Sequence, residues 1–132
     1  MDAWLAPEAA HHLKALALTS GGRKMKGYLI GHIRGGRRIV ESILPAGSSS
    51  AGLLSRLQDI ETVFDGRILG FFLFNPADKD KKRFLAPACT ERLVLEIRSG
   101  SRTRRPIRAF NVEFTGRFRL TAIPLAGPPA DF

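Results

Sequence analysis

The side chains that could do acid–base, nucleophilic or metal chemistry are few and scattered in this sequence. There are three histidines, His11, His12 and His32, and one cysteine, Cys89. His11 and His12 fall in a helix-like segment, where adjacent side chains point about 100° apart and so do not converge on one ion. The H-E-x-x-H pair and the paired cysteines that mark many zinc sites are absent. The sequence therefore predicts no bound metal and no cofactor.

Motifs for nucleophilic or phosphate chemistry are also lacking. The G-x-S-x-G pattern of serine hydrolases does not occur. Residues 21–24, Gly-Gly-Arg-Lys, lack the full phosphate-loop pattern and follow a helix instead of a strand. We therefore predict no catalytic residue of these types.

One heptapeptide, Gly70-Phe71-Phe72-Leu73-Phe74-Asn75-Pro76, stands where many enzymes place reacting groups, at the end of a strand-like run. It contains no imidazole, carboxylate or thiol. The run from residue 67 to 74 is nearly continuous in apolar residues, which is typical of a strand buried on both faces. The position is thus suited to chemistry, but the residues that occupy it are not.

The elements that must position this heptapeptide follow from hydrophobic periodicity and from turn residues. In chain order the pattern predicts a helix over 7–18, strands over 26–33 and 38–44 joined by a Gly35-Gly36 hairpin, a helix over 51–64, a strand over 67–74, a mixed-charge loop over 78–83, and strands over 92–98, 107–114 and 118–125. We expect an α/β fold with a mixed, mostly antiparallel sheet flanked by helices. It forms one domain over residues 1–126, followed by a Pro/Gly tail over 127–132.

Four segments resemble the MPN (JAB/JAMM) family of zinc isopeptidases. The heptapeptide is similar to the family's G-W-Y-H-S-H-P, and residues 24–31 are similar to E-x-x-G-x-L-x-G on its first strand. Residues 35–40 with Pro45 resemble the following hairpin, and Ile-Arg-Ala-Phe at 107–110 resembles a strand of bacterial members. The likeness covers residues 8 to 125 and implies a single MPN-like α/β domain.

The resemblance also implies that the hydrolytic site of that family has been lost. Leu73 and Asn75 stand at its two zinc-binding histidines, and Lys24 stands at its general-base glutamate. Counting onward places Phe84 and Pro87 at its serine and its third, aspartate, ligand. We therefore interpret Leu73, Asn75 and Lys24 as vestigial zinc-site positions, with the Lys24 ammonium directed into the former zinc cavity near Asn75.

The charge balance is strongly basic. Twenty-one Lys and Arg face 12 Asp and Glu, which gives a net charge of +9. Such a charge favours association with polyanions, nucleic acid first. The candidate contacts cluster in predicted loops and hairpin tips: Arg34, Arg37, Arg38, Lys81, Lys82, Arg83, Arg102, Arg104 and Arg105. Solvated loops that only keep the protein in solution are the alternative interpretation.

Composition bears on membrane insertion, secretion and the cellular compartment. No apolar stretch approaches the roughly 20 residues that span a bilayer, and residues 1–18 lack the pattern of a secretory signal. One cysteine cannot form an internal disulfide, so we expect a cytoplasmic location. The leading hypothesis is a catalytically inactive MPN/JAMM-like domain that works as a protein-binding or scaffolding module. Its partner is then another MPN-type or a ubiquitin-like protein, and the alternative is a basic nucleic-acid-binding accessory domain.

Overall fold

One eight-stranded sheet organises the chain. The computed structural model describes residues 1–20, 24–46, 52–98 and 107–127. In chain order the elements are β1 (Asp2–Leu5), α1 (Pro7–Ser20), β2 (Lys26–Arg34), β3 (Arg37–Pro45), α2 (Leu57–Phe64), β4 (Ile68–Phe74), α3 (Asp78–Lys82), a 3₁₀ turn (Pro87–Cys89), β5 (Leu93–Ile97), β6 (Ile107–Phe114), β7 (Phe118–Ile123) and β8 (Leu125–Ala126).

The strands lie side by side in the order β7-β6-β5-β4-β2-β3-β1-β8. Most neighbours are antiparallel, whereas β1 pairs in parallel with β3 and β8, and β4 pairs in parallel with β5. The predicted β2–β3 hairpin is confirmed. Gly35 and Gly36 occupy its tip with φ angles of 56° and 78°, which residues with a side chain rarely adopt.

The central strand β4 is buried along its whole length, as its continuous apolar sequence predicts. Alternate side chains of β4 therefore pack into two separate hydrophobic cores. Phe72 and Phe74 pack on the face that α1 covers through Leu13. Phe71 and Leu73 pack on the opposite face, which is covered by residues 53–64 and by Phe84. Both faces of the sheet thus position the end of β4 firmly.

The predicted class, a single MPN-like α/β domain with its sheet flanked by helices, is wrong. Strands hold 45% of the described residues and helices 26%, and the sheet is barrel-like and nearly closed. Two short strands, Asp2–Leu5 and the edge strand Leu125–Ala126, extend the sheet beyond what periodicity showed, because four and two residues are too short to display a period. The predicted helix over 51–64 is helical in Leu57–Phe64, and the residues just before it form turns.

The predicted loop over 78–83 contains a short helix instead. In α3 the Asp80 carboxylate accepts a hydrogen bond from the backbone N–H of Ala77, at 2.8 Å. A carboxylate at the third helical position satisfies an N–H that would otherwise be unpaired at the helix start. The charged residues whose mixture indicated a loop therefore form the start of a short helix. Apart from Gly127, the predicted tail lies outside the described residues.

Candidate binding pocket

A cavity of about 510 Å³ lies where β4 ends. Its wall is formed by parts of residues 24–26, 52–54, 73–76 and 79–84, and we call it the lysine-rimmed pocket. Its apolar lining residues are Met25, Leu53, Leu54, Leu73, Phe74, Pro76 and Phe84, of which Phe74 packs its side chain on the opposite face of the sheet. Apolar cavities of this size with a few polar groups at the edge are typical of binding sites.

Strand pairing fixes one side of the lysine-rimmed pocket. Lys26 is opposite Leu73 in the β2–β4 register, and the Phe74 backbone N–H donates to the Met25 carbonyl oxygen at 2.8 Å. These contacts hold residues 24–26 against the end of β4. The segment before β2 and the heptapeptide are therefore parts of one site.

The opposite side is held by two aromatic anchors. The Tyr28 hydroxyl donates to the Leu53 carbonyl oxygen at 2.7 Å, which fixes the turn that precedes α2. The ring of Phe84 packs on that of Phe71, with centroids 4.7 Å apart. Tyr28, Phe71 and Phe84 are all buried, so the floor of the pocket is built on core packing and not on mobile surface groups.

Charged side chains form the rim. Lys24, Lys26, Lys79 and Arg83 line the pocket, together with one acid, Asp80. The Lys24 ammonium lies 3.2 Å from the Asp80 carboxylate. The Ala77 N–H, assisted by the Lys24 ammonium, holds the pKa of Asp80 below its usual value. The carboxylate is therefore ionised at neutral pH, and the rim carries four cations and one anion.

Two of the three residues predicted to be vestigial zinc-site positions meet in this pocket. Lys24 and Leu73 both line it, whereas Asn75 does not. Asn75 adopts a left-handed backbone conformation with φ of 50°, and its N–H donates to the Ile97 carbonyl oxygen at 2.7 Å. Asparagine tolerates this conformation better than most residues, so the backbone accounts for its presence.

The residues predicted to stand at other ligand positions also have structural roles. Phe84 is buried in the pocket floor, and Pro87 begins the 3₁₀ turn. His11 and His12 are exposed on α1, and His32 contacts Glu41 at 2.6 Å on the sheet surface. Across the described residues, His, Cys, Asp and Glu side chains form no group of three that could hold a metal ion.

The predicted polyanion-binding residues do not share one surface. Arg34 and Arg37 flank the hairpin tip, where Arg37 is paired with Asp2 at 3.0 Å. Lys82 and Arg83 are exposed at the end of α3. Arg102, Arg104 and Arg105 lie outside the described residues. The exposed members that can be located are therefore divided between the hairpin tip and the region of α3.

Two of the predicted polyanion contacts point inward. Arg38 is 3% exposed and donates to the Asn111 side-chain oxygen. Lys81 lies 3.3 Å from the carboxylate of Glu96, which is itself 3% exposed. Arg38 and Lys81 therefore serve the interior of the protein and do not present free cations to a polyanion.

Sequence reasoning missed the buried carboxylate of Glu96 and the cationic rim around the end of β4. Glu96 accepts from Arg98 at 2.7 Å as well as from Lys81. A lone acid in the otherwise apolar strand Leu93–Ile97 was the available signal, because such a residue needs buried cationic partners. Lys26 and Lys79 gave no comparable signal, since their proximity depends on the fold.

Comparisons with known proteins support the fold. The chain has a TM-score of 0.64 to the solution structure of protein DSY2949 from Desulfitobacterium hafniense, with 20% sequence identity over 96% of this chain and 94% of that one. No protein-family model and no curated protein matches the sequence. The likeness to DSY2949 is therefore one of fold, and it carries no functional or family assignment.

Helix length decides whether a helix can span a membrane. α1, the longest helix of the described residues, has 14 residues. None of the helices described here is long and apolar enough to cross a bilayer.

Proposed function

We propose that this chain is a non-hydrolytic binding module that docks a segment of a partner protein in the lysine-rimmed pocket. One observation carries the proposal: the pocket at the end of β4 joins an apolar floor, which includes Leu73, to a cationic rim, which includes Lys24. An alkyl chain and an ammonium there supply neither a zinc ligand nor a general base. The pocket therefore has the shape of a binding site, and its side chains are suited to contacting a partner and not to hydrolysis.

The floor of the pocket favours a side-chain anchor. Protein interfaces owe much of their affinity to a few side chains that fill well-packed pockets. Leu53, Leu73 and Phe84 give a floor that is at least nine-tenths buried and is held by strand pairing and ring packing. Such a floor is organised before binding. Docking therefore causes a smaller loss of conformational entropy in the protein.

Two further parts of the hypothesis belong to this proposal. The partner as an MPN-type or ubiquitin-like protein rests on the family resemblance alone. A cytoplasmic location is consistent with Cys89, a free thiol with no exposed surface, because single unpaired cysteines are usual in reducing compartments.

A matched pair of uncharged substitutions tests the proposal. Leu54 lines the pocket and is half-buried, whereas Val63 lies on α2 and is 75% exposed. Tagged wild-type protein, Leu54→Gln and Val63→Gln are used to capture partners from nuclease-treated lysate, and each captured protein is then purified and titrated against all three. We expect a partner whose affinity falls about tenfold with Leu54→Gln and is unchanged with Val63→Gln.

Three results contradict the proposal. The first is a partner that binds both variants as well as it binds wild-type protein. The second is the absence of any stoichiometric protein partner. The third is binding that disappears with nuclease and leaves nucleic acid as the bound species, which supports the accessory nucleic-acid-binding alternative. Thermal melts of both variants check that a change in binding does not arise from unfolding.

A further inference from the structure

The rim of the lysine-rimmed pocket has a marked excess of positive charge. Lys24, Lys26, Lys79 and Arg83 line it against the single carboxylate of Asp80. Lys79 and Arg83 are exposed, and the Lys24 side chain retains 60% of its exposure in spite of its ion pair. These cations are thus accessible to a ligand that enters the pocket.

Nearby acids do not cancel this excess. Asp80 is already engaged by the Ala77 N–H at 2.8 Å and by Lys24 at 3.2 Å. Asp78 is 91% exposed and lies 3.8 Å from Lys81, outside the pocket lining. The Glu96 carboxylate is buried against Lys81 and Arg98. The acids packed around α3 therefore have partners. None of Asp78, Asp80 and Glu96 forms an ion pair with Lys26, Lys79 or Arg83, although Arg83 is close enough to Asp80 to help lower its pKa.

The apolar floor and the cationic rim together define a two-part ligand. An apolar side chain removes the surface of Leu54 and Leu73 from water, and anionic groups on either side of it reach the rim cations. Resting on the proposed function, we infer that the partner segment is an acidic peptide with an apolar anchor residue. Its central side chain occupies the cavity, and carboxylates before and after it contact Lys79 and Arg83.

The aromatic residues of the floor favour a peptide over a nucleic acid. Single-stranded nucleic acids bind through exposed rings on which bases stack. The Phe74 ring is 1% exposed and packs against Phe72 on the other face of the sheet, and the Phe84 ring is 4% exposed and packs against Phe71. Neither ring offers a free face, so phosphates at the rim would find no stacking platform below them.

A defined probe tests this inference. The probe is a fluorescein-labelled acetylated pentapeptide with four acidic residues around a central leucine, titrated by fluorescence polarisation. The comparison peptides replace the leucine with serine, or the acids with their amides, and a single-stranded oligonucleotide is the fourth probe. We expect the acidic leucine peptide to bind most tightly, and its affinity to fall as salt screens the rim.

Charge reversal on α3 supplies the matched control. Arg83→Glu and Lys79→Glu alter the rim, whereas Lys82→Glu alters an exposed lysine of the same helix that does not line the pocket. We expect about a tenfold loss of peptide affinity for each rim variant and less than a twofold loss for Lys82→Glu. Equal losses in all three variants indicate a general charge effect and contradict a built site.

The outcomes separate this inference from the function on which it rests. If Leu54→Gln weakens the partner but Arg83→Glu and salt do not, the acidic segment is wrong and the docking function stands. If the partner is indifferent to Leu54→Gln, the docking function itself is wrong. Undetectable binding of the acidic leucine peptide, or tighter binding of its amide form or of the oligonucleotide, also overturns the inference.

Discussion

The Lys24 ammonium lies 3.2 Å from the Asp80 carboxylate, and this ion pair joins the segment before β2 to α3. Both residues line the lysine-rimmed pocket. Asp80 has a second bond, from the Ala77 N–H that begins the helix. The position that resembles a catalytic glutamate therefore carries a lysine that pairs with an acid from another element of the same site.

The two bonds of Asp80 predict different costs for removing each partner. Asp80→Ala loses the bond at the helix start as well as the ion pair, and we expect a loss of about 1 kcal/mol in the free energy of unfolding. Lys24→Met loses only a pair that is largely exposed on the lysine side, and we expect a loss under about 0.5 kcal/mol. Urea denaturation of both variants measures the difference. Equal losses would show that the bond to Ala77 does not contribute.

The same carboxylate predicts a pH dependence. The pKa of Asp80 is lowered in the folded state, so its ionised form stabilises the fold at every pH above the unfolded pKa. This contribution is lost as the pH falls through the ordinary aspartate range towards the lower folded pKa. We therefore expect the stability difference between wild type and Asp80→Asn to be constant near neutral pH and to shrink in acid. Urea denaturation at stepped pH values tests this, and a difference that grows in acid contradicts the assignment.

Restoring histidines is not expected to restore zinc binding. In the variant with Leu73→His and Asn75→His, one new imidazole lies in a pocket that Lys24 also lines, and the other lies on a residue outside the pocket lining. The residue that the MPN resemblance aligns with the third ligand is Pro87, whose side chain cannot bind metal. We expect no zinc uptake at micromolar concentrations by isothermal titration calorimetry, with each single variant as a control. Stoichiometric uptake by the double variant would contradict this placement of Lys24 and Asn75.

Glycines explain part of why the sequence resembled another family. A Cβ built on Gly70 lies 1.8 Å from the Leu93 carbonyl oxygen, and one on Gly31 lies 1.8 Å from that of Ile39. These two glycines of the matched motifs are thus required by the close approach of neighbouring strands. The sequence revealed crowded strands and their order, but such crowding is not specific to one family.

The steric requirement at Gly70 is itself testable. Gly70→Ala places a methyl group against the Leu93 backbone, so β4 and β5 must separate. We expect a loss of at least about 3 kcal/mol in the free energy of unfolding. Gly52→Ala is the control, because the nearest atom to its Cβ is 3.9 Å away. Chemical denaturation of the two variants should differ widely, and similar midpoints would contradict the close approach.

The burial of Arg38 is a feature of the fold that the sequence did not predict. Its position at a hairpin among other arginines indicated a surface cation, yet the strand period places it on the same face as Val40. Only the curvature of the sheet decides that this face meets β6, from which β3 is separated by three strands. Local periodicity predicted most strands, whereas closure, and with it the burial of Arg38, depends on contacts between distant segments.

The contact of Arg38 with Asn111 predicts strong coupling. Burial lowers the pKa of Arg38, and the carboxylates of Glu91 and Glu113 oppose this effect. Asn111→Leu leaves a buried guanidinium without its nearest acceptor, and we expect a loss of about 2–3 kcal/mol in stability. Arg38→Met combined with Asn111→Leu should recover part of that loss. A double-mutant cycle by urea denaturation measures the coupling, and additive losses would show that the two residues do not interact.

The thiol of Cys89 is expected to be inert in the folded protein. It has no exposed surface, and burial raises its pKa to about 11. The thiolate is the reactive form of cysteine. At pH 8 only a very small fraction of Cys89 is ionised in the folded protein, and that thiolate is inaccessible to reagents. We expect Ellman's reagent to modify Cys89 only at the rate of unfolding and to react rapidly in 6 M guanidinium. Prompt stoichiometric labelling of native protein at pH 8 would place Cys89 at the surface and contradict its position in the core beneath α2.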